Sequence, residues 1–237
     1  MTQLLSRTLP RALVSAGALR ANLELIKQRR IRQSLGEALI DVRADAYGHG
    51  ADLVTSLAKE LDMFGVNRGA GAAEVFRSPS GDIGPGVIAA ADVPPRMTLG
   101  LADGAFRPAL TLVGEVLGVK QLRAGEGVSY GHTFVAAADT RVALVTGGYA
   151  QGLVRSLGNK LAVSIAGTRH RIVGRVAMDV CVVDVGDAAV SRGDDVVLLG
   201  DPQRNEPALA EWVEITGMPA EELVTLVGLR SRREVVA

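Results

Sequence analysis

The chain has 237 residues, with 26 Lys+Arg against 26 Asp+Glu, a formal net charge of zero and a pI near 6.9, a balance that, with its few aromatic residues, argues against a nucleic-acid partner. A hydrophobic share of 48% against 22% charged residues can bury a core and rules out disorder as the main state. Four Phe, three Tyr and one Trp leave that core aliphatic, and the single cysteine, Cys181, excludes an internal disulfide framework and a thiolate zinc cluster. No apolar run reaches the roughly 18 uninterrupted residues of a membrane span. The expectation is a cytoplasmic protein with neither nucleic acid nor membrane as partner.

Arg7, Arg11 and Arg20, with no acid among them, have the composition of an organellar transit peptide, but Leu19, Leu23 and Ile26 follow at helical spacing, so a first strand and helix is the expected structure. Helical stretches over residues 18–30 and 51–61 alternate with apolar runs over 38–42, 63–66 and 87–91, the pattern of βα units on a parallel sheet. Residues 65–104 hold eight Gly and four Pro and form the expected junction. Beyond Leu110 the runs 113–120, 141–146, 161–165, 172–178, 181–185 and 196–199 read as strands. Two helices follow, over 207–215 and 219–227; the second has Pro219 at its first position, Glu221 and Glu222 in the first turn and Gly228 just past its end.

The sharpest local signal is Asp41-Val42-Arg43-Ala44-Asp45-Ala46-Tyr47-Gly48-His49-Gly50, where a buried strand runs out into a loop and helix, the place where α/β barrels carry catalytic groups. This decapeptide resembles the cofactor-lysine motif of the alanine racemases. Gly125-Glu126-Gly127-Val128-Ser129-Tyr130-Gly131-His132-Thr133 resembles that family's catalytic-tyrosine segment. Gly148-Tyr149-Ala150-Gln151-Gly152, Gly174-Arg175-Val176-Ala177-Met178-Asp179 and Gly228-Leu229-Arg230-Ser231-Arg232-Arg233 match later motifs in order.

The resemblance implies an incomplete (β/α) barrel fragment over residues 1–106, followed by a mainly β C-terminal domain of alanine-racemase type over 107–237. It also implies pyridoxal phosphate as cofactor and interconversion of L- and D-alanine as the family reaction. By the same resemblance Tyr47 contacts the cofactor phosphate and Tyr130 is the base on one face of the substrate. Tyr130, Tyr149 and Met178 would reach the site of a second subunit, so a homodimer, or a heterodimer with a complete racemase, is expected.

Two departures bear on activity. Arg43 stands where the family has the lysine that binds the cofactor covalently and acts as the second base. A guanidinium stays charged and offers no amine lone pair, so covalent cofactor attachment is expected to be absent. Moreover, a closed barrel takes at least about 200 residues, whereas about a hundred precede the β-rich part. The expected protein is therefore truncated within its barrel and inactive on its own, a structural or regulatory partner. A functional racemase and a non-catalytic small-ligand-binding protein are the alternatives.

Other signals carry bland explanations. His49, His132 and His170 are scattered and predict no metal site, and the run 69–74 ends in Glu74 where a dinucleotide loop wants glycine. Arg169, Arg171 and Arg175 alternate as on a solvated sheet face. Cys181 is expected to be inert core, Tyr130 has the competing reading of a partly buried packing tyrosine, and Tyr149 and Asp179 that of simple interface or turn residues.

Overall fold

The structure, a computed structural model, describes residues 9–35, 38–63, 66–67, 93–101 and 104–237. The chain divides into two compact units, Val14–Leu110 with Val235–Ala237, and Met1–Leu13 with Thr111–Glu234.

In the first unit the apolar spacing read from the sequence becomes one buried face. Helix α1 (Ala16–Arg32) begins where Ser15 Oγ accepts from the Ala18 N–H at 3.1 Å, satisfying a donor at the open end. It buries Leu19, Leu23 and Ile26, each worth about 1.5–3 kcal/mol on removal from water. Asn22 shares that face; its amide donates to the carbonyls of Thr98 (3.1 Å) and Arg107 (2.9 Å), and its oxygen accepts from the Arg107 N–H (2.8 Å). Against α1 pack α3 (Ala51–Glu60) and α4 (Pro95–Thr98), while α2 (Arg43–Tyr47) is a short turn that belongs to the site. Barrel-like content is partial. Strand β2 (Ile40–Asp41) pairs in parallel with β3 (Val66–Asn67), and Ile40 makes a further parallel bridge to Val93. The runs 87–91 and 69–74 lie outside the described residues.

One expectation is corrected here. Strand β1 (Arg11–Ser15) does not begin the parallel sheet; it pairs with β4 (Leu110–Leu122) and with β12 (Arg232–Val236). These pairings are far apart in sequence, so no local pattern announces them.

The β unit is built around β4, whose alternating apolar residues serve two neighbours in turn. Leu112–Glu115 pairs with β11 (Asp195–Leu199), and Val116–Leu122 pairs with β7 (Thr140–Thr146), with a register shift between Val116 and Gly118. The sheet order is β10-β7-β4-β11-β8-β9, with β8 spanning Ala162–Ile165, β9 Thr168–Arg171 and β10 Val180–Asp184. An antiparallel bridge between Ile172 and Val183 joins the two ends of that path. A small hairpin, β5 (Gly127–Val128) with β6 (Phe134–Val135), carries the Tyr130 loop.

The expected strand over 172–178 is not formed: Ile165 and Thr168 pair across a two-residue turn, so the strand lies at Thr168–Arg171, and Gly174 at φ 76° takes the chain out of extended geometry. Helices α5 (Leu209–Thr216) and α6 (Ala220–Arg230) close the unit, with the Trp212 ring fully buried and its Nε1 donating to the Leu198 carbonyl at 3.1 Å. Pro219 caps α6 rather than opening it, and Gly228 lies inside the helix rather than past its end.

Candidate functional site

The candidate residues fall into two groups, one in each unit. In the first, β2 ends at Asp41, whose side chain is 2% exposed, and the chain turns at once into α2. Ala44, Asp45 and Ala46 hold φ of 49–56° and Tyr47 has φ 53°, so this turn is left-handed. An L-residue there costs about 1–2 kcal/mol, and the turn persists through the bonds it makes. Ala46 N–H donates to Val42 O (2.9 Å), Gly48 N–H to Ala44 O (3.0 Å) and Gly50 N–H to Asp45 O (2.8 Å). Asp45 Oδ1 accepts from the Ala51 N–H at 2.7 Å at the start of α3, and His49 Nδ1 lies 3.1 Å from the carbonyls of Ala46 and Tyr47.

The left-handed turn folds Tyr47 back over the strand end. Asp41 Oδ1 accepts from the backbone N–H (3.0 Å) and Nε (2.9 Å) of Arg43; its Oδ2 accepts from Arg43 Nε (3.0 Å) and Nη2 (2.5 Å) and from the Tyr47 hydroxyl (2.8 Å). Both carboxylate oxygens are thus saturated. Burial by itself pushes Asp41 up, but the hydrogen bonds from Arg43 and Tyr47 and the guanidinium charge hold it below the usual carboxylate range. Burial and then the bond to Asp41 push the Tyr47 phenol above its ordinary value, and Asp41 drives Arg43 still further from deprotonation. The structure therefore brings Arg43 and Tyr47 together, and adds Asp41, whose role the sequence reading missed. Its signal was an acid within an apolar run, two residues before Arg43 and hence on the same side of an extended chain.

In the β unit, Tyr149 and Met178 are joined through their backbones. Tyr149 N–H donates to Ala177 O (3.0 Å), Ala150 N–H to Met178 O (2.9 Å) and Gly147 N–H to Asp179 O (3.0 Å). The buried Gln151 amide ties the two segments, accepting from the Gly148 N–H and donating to Asp179 Oδ1, each at 2.9 Å. A Cβ at Gly148 would lie 2.2 Å from the Met178 carbonyl oxygen, which is why this motif has glycine there. The Arg155 guanidinium lies 5.4 Å from the centre of the Tyr149 ring. Tyr130 is 74% exposed, against the reading of a partly buried packing residue. Its loop is held by Ser129 Oγ donating to the Arg175 carbonyl at 2.7 Å, and borders a cavity of about 450 Å³ lined also by His132, Arg175, Ala177, Val180 and Val182. Tyr149 and Met178, at 40% and 55% exposure, share this open character.

The basic alternation is in part the expected solvated face: Arg171 on β9 is exposed, Arg169 on the same strand makes a bidentate pair with Glu211 (2.6 and 3.2 Å), and Arg175, also exposed, lies in a loop off the strand. Cys181 is buried, and burial pushes its thiol up to about 12, consistent with inert core. Among the described residues no group of three or more His, Cys, Asp or Glu could hold a metal ion, and no helix is long and apolar enough to cross a membrane.

The chain is similar to known proteins of one family. Residues 109–235 match the family described as alanine racemase, C-terminal domain. An alanine racemase of Mycobacterium avium is 46% identical over 127 residues, 53% of this chain and 33% of that protein; one of Mycobacterium leprae is 45% identical over 142 residues, 59% of this chain and 35% of that protein. The chain thus spans about a third of the length of the curated relatives it matches. Among solved structures, alanine racemase from Streptomyces lavendulae, a D-cycloserine producer, superposes with a TM-score of 0.81 at 22% identity, covering 97% of each chain. Alanine racemase from Bartonella henselae, solved with covalently bound pyridoxal phosphate, superposes with a TM-score of 0.74 at 15% identity, covering 96% of this chain and 99% of that one. At these identities the superpositions show the shared fold.

Proposed function

We propose, from the premise that the chain belongs to the alanine racemase family, that it is a degenerate racemase that does not interconvert L- and D-alanine on its own. On this reading residues 1–106 are a truncated barrel and 107–237 the C-terminal domain, and the chain is a cytoplasmic homodimer in which Tyr130, Tyr149 and Met178 face the second copy. Its role on this reading is that of a structural or regulatory partner.

The observation that carries this reading is the Arg43 guanidinium, which the resemblance puts in the lysine position, engaged by the buried carboxylate of Asp41. Pyridoxal phosphate, when bound in the family's manner, stabilises negative charge developing at the substrate α-carbon. The residues here do not fit its covalent attachment. Arginine has no amine to form an imine, and the Tyr47 hydroxyl, which the resemblance assigns to the cofactor phosphate, donates instead to Asp41. The active-racemase reading is favoured by one feature, the exposed Tyr130; a base without its opposite-face partner and cofactor anchor has no proton to relay.

The purified chain, incubated with pyridoxal phosphate and L-alanine, is expected to form no D-alanine above the enzyme-free control. Borohydride reduction followed by peptide mapping is expected to show no cofactor on Lys27, Lys59, Lys120 or Lys160, the only lysines present. Turnover, or a stoichiometric adduct on any of them, overturns the proposal.

A further inference from the structure

Replacing arginine by lysine is the obvious repair of such a site, and the structure places a second obstacle in its way. Arg43 Nε and Nη2 both face the Asp41 carboxylate, at 2.9–3.0 Å and 2.5 Å. Counted along the side chain, the Nζ of a lysine occupies the same place as the Cζ of an arginine, the atom that joins these two nitrogens. An amine at position 43 therefore comes within hydrogen-bond reach of a carboxylate that is buried and fixed by the Tyr47 hydroxyl at 2.8 Å. Such a carboxylate holds the amine as an ammonium ion. Covalent attachment needs the opposite: the nitrogen lone pair must form the bond to the aldehyde carbon while the carbonyl oxygen leaves as water, and an ammonium has no lone pair.

We propose that Asp41 is the positioning residue that commits position 43 to a state unable to attach the cofactor, so that the loss of the anchor resides in two residues, Asp41 and Arg43. The inference rests on the reading that Arg43 occupies the lysine position. Its distinguishing feature is charge. Neutral substitutions at residue 41 release an amine at 43, and a substitution that keeps the carboxylate does not.

The test compares Arg43→Lys alone with the pairs Asp41→Asn/Arg43→Lys, Asp41→Val/Arg43→Lys and Asp41→Glu/Arg43→Lys. Each folded full-length chain is incubated with pyridoxal phosphate, reduced with borohydride and mapped by mass for the adduct at residue 43. The Asn and Val pairs are expected to carry at least about tenfold more adduct there than Arg43→Lys, a ratio equivalent to about 1.4 kcal/mol, while the Glu pair stays at the level of the single variant. Equal labelling of the single variant and the neutral pairs, whether high or undetectable, overturns the proposal.

Should the pairs fail to fold, the single variant suffices. Its introduced amine is expected to react with an acylating reagent at least about tenfold more slowly than that of the exposed Lys120, and equal reactivity overturns the inference. Failure of the broader reading shows separately, as turnover or cofactor attachment in the unmodified chain.

Discussion

The Tyr47 hydroxyl donates to the same Asp41 oxygen that Arg43 Nη2 holds, at 2.8 Å and 2.5 Å. One buried carboxylate thereby gathers the two side chains that the resemblance to alanine racemases assigns to the cofactor, and directs both to each other. The arrangement depends on the left-handed turn over Ala44–Tyr47, because a right-handed turn would carry Tyr47 to a different side of the strand end.

Asp41→Asn is expected to lower stability at neutral pH by about 1.5–3 kcal/mol, the usual worth of hydrogen bonds to a charged group. Asp41 is held below its unfolded pKa, so its contribution is present above about pH 4 and is lost as pH falls through the lower folded value. Urea unfolding of the unmodified chain followed by circular dichroism should weaken on acidification below that range, and Asp41→Asn should flatten that part of the profile. A variant with an unchanged acid limb would show that Asp41 gains nothing from its ion pair.

Ala44→Gly is expected to raise stability by about 0.5–1 kcal/mol, because glycine adopts φ near 50° without the Cβ penalty while losing more entropy on folding. Ala21→Gly within α1 is the control and should lower stability by about 1 kcal/mol. The opposite signs, read from denaturant midpoints, check the handedness of the turn directly.

Gly148→Ala should destabilise the β unit by more than about 3 kcal/mol, since its Cβ would meet the Met178 and Ala177 carbonyl oxygens at 2.2 and 2.5 Å, backbone atoms that cannot rotate away. Trp212 is the single tryptophan and is fully buried in that unit, so its fluorescence reports the transition. A midpoint within error of the unmodified chain would contradict the close approach.

Self-association is expected at micromolar protein, through the exposed apolar side chains Tyr130, Val135, Leu144, Tyr149 and Met178. The residues of the β2 run, Ala38, Ile40 and Val42, are by contrast buried within their own unit. Sedimentation should show a dimer that Met178→Asp weakens at least about tenfold, the scale of burying an unpaired charge. A monomer whose sedimentation Met178→Asp leaves unchanged would remove the homodimer from the proposed function.

By itself, the sequence determined what depends on residue chemistry and near neighbours. The helical faces of Leu19, Leu23 and Ile26, most of the strands after Leu110, and the inability of Arg43 to form an imine are of this kind, since side-chain spacing and functional groups are local properties. Tertiary structure alone decided the rest. It placed β1 beside β4 and β12 through pairings between distant segments, and it moved the strand expected at 172–178 back to Thr168–Arg171. It also turned residues 44–47 left-handed against their intrinsic preference, which brought Asp41, Arg43 and Tyr47 within one another's reach. The physical reason is common to these cases. A bond between groups distant along the chain, or across a turn that costs energy locally, forms only when surrounding contacts outweigh that cost, and those contacts exist only in the folded state.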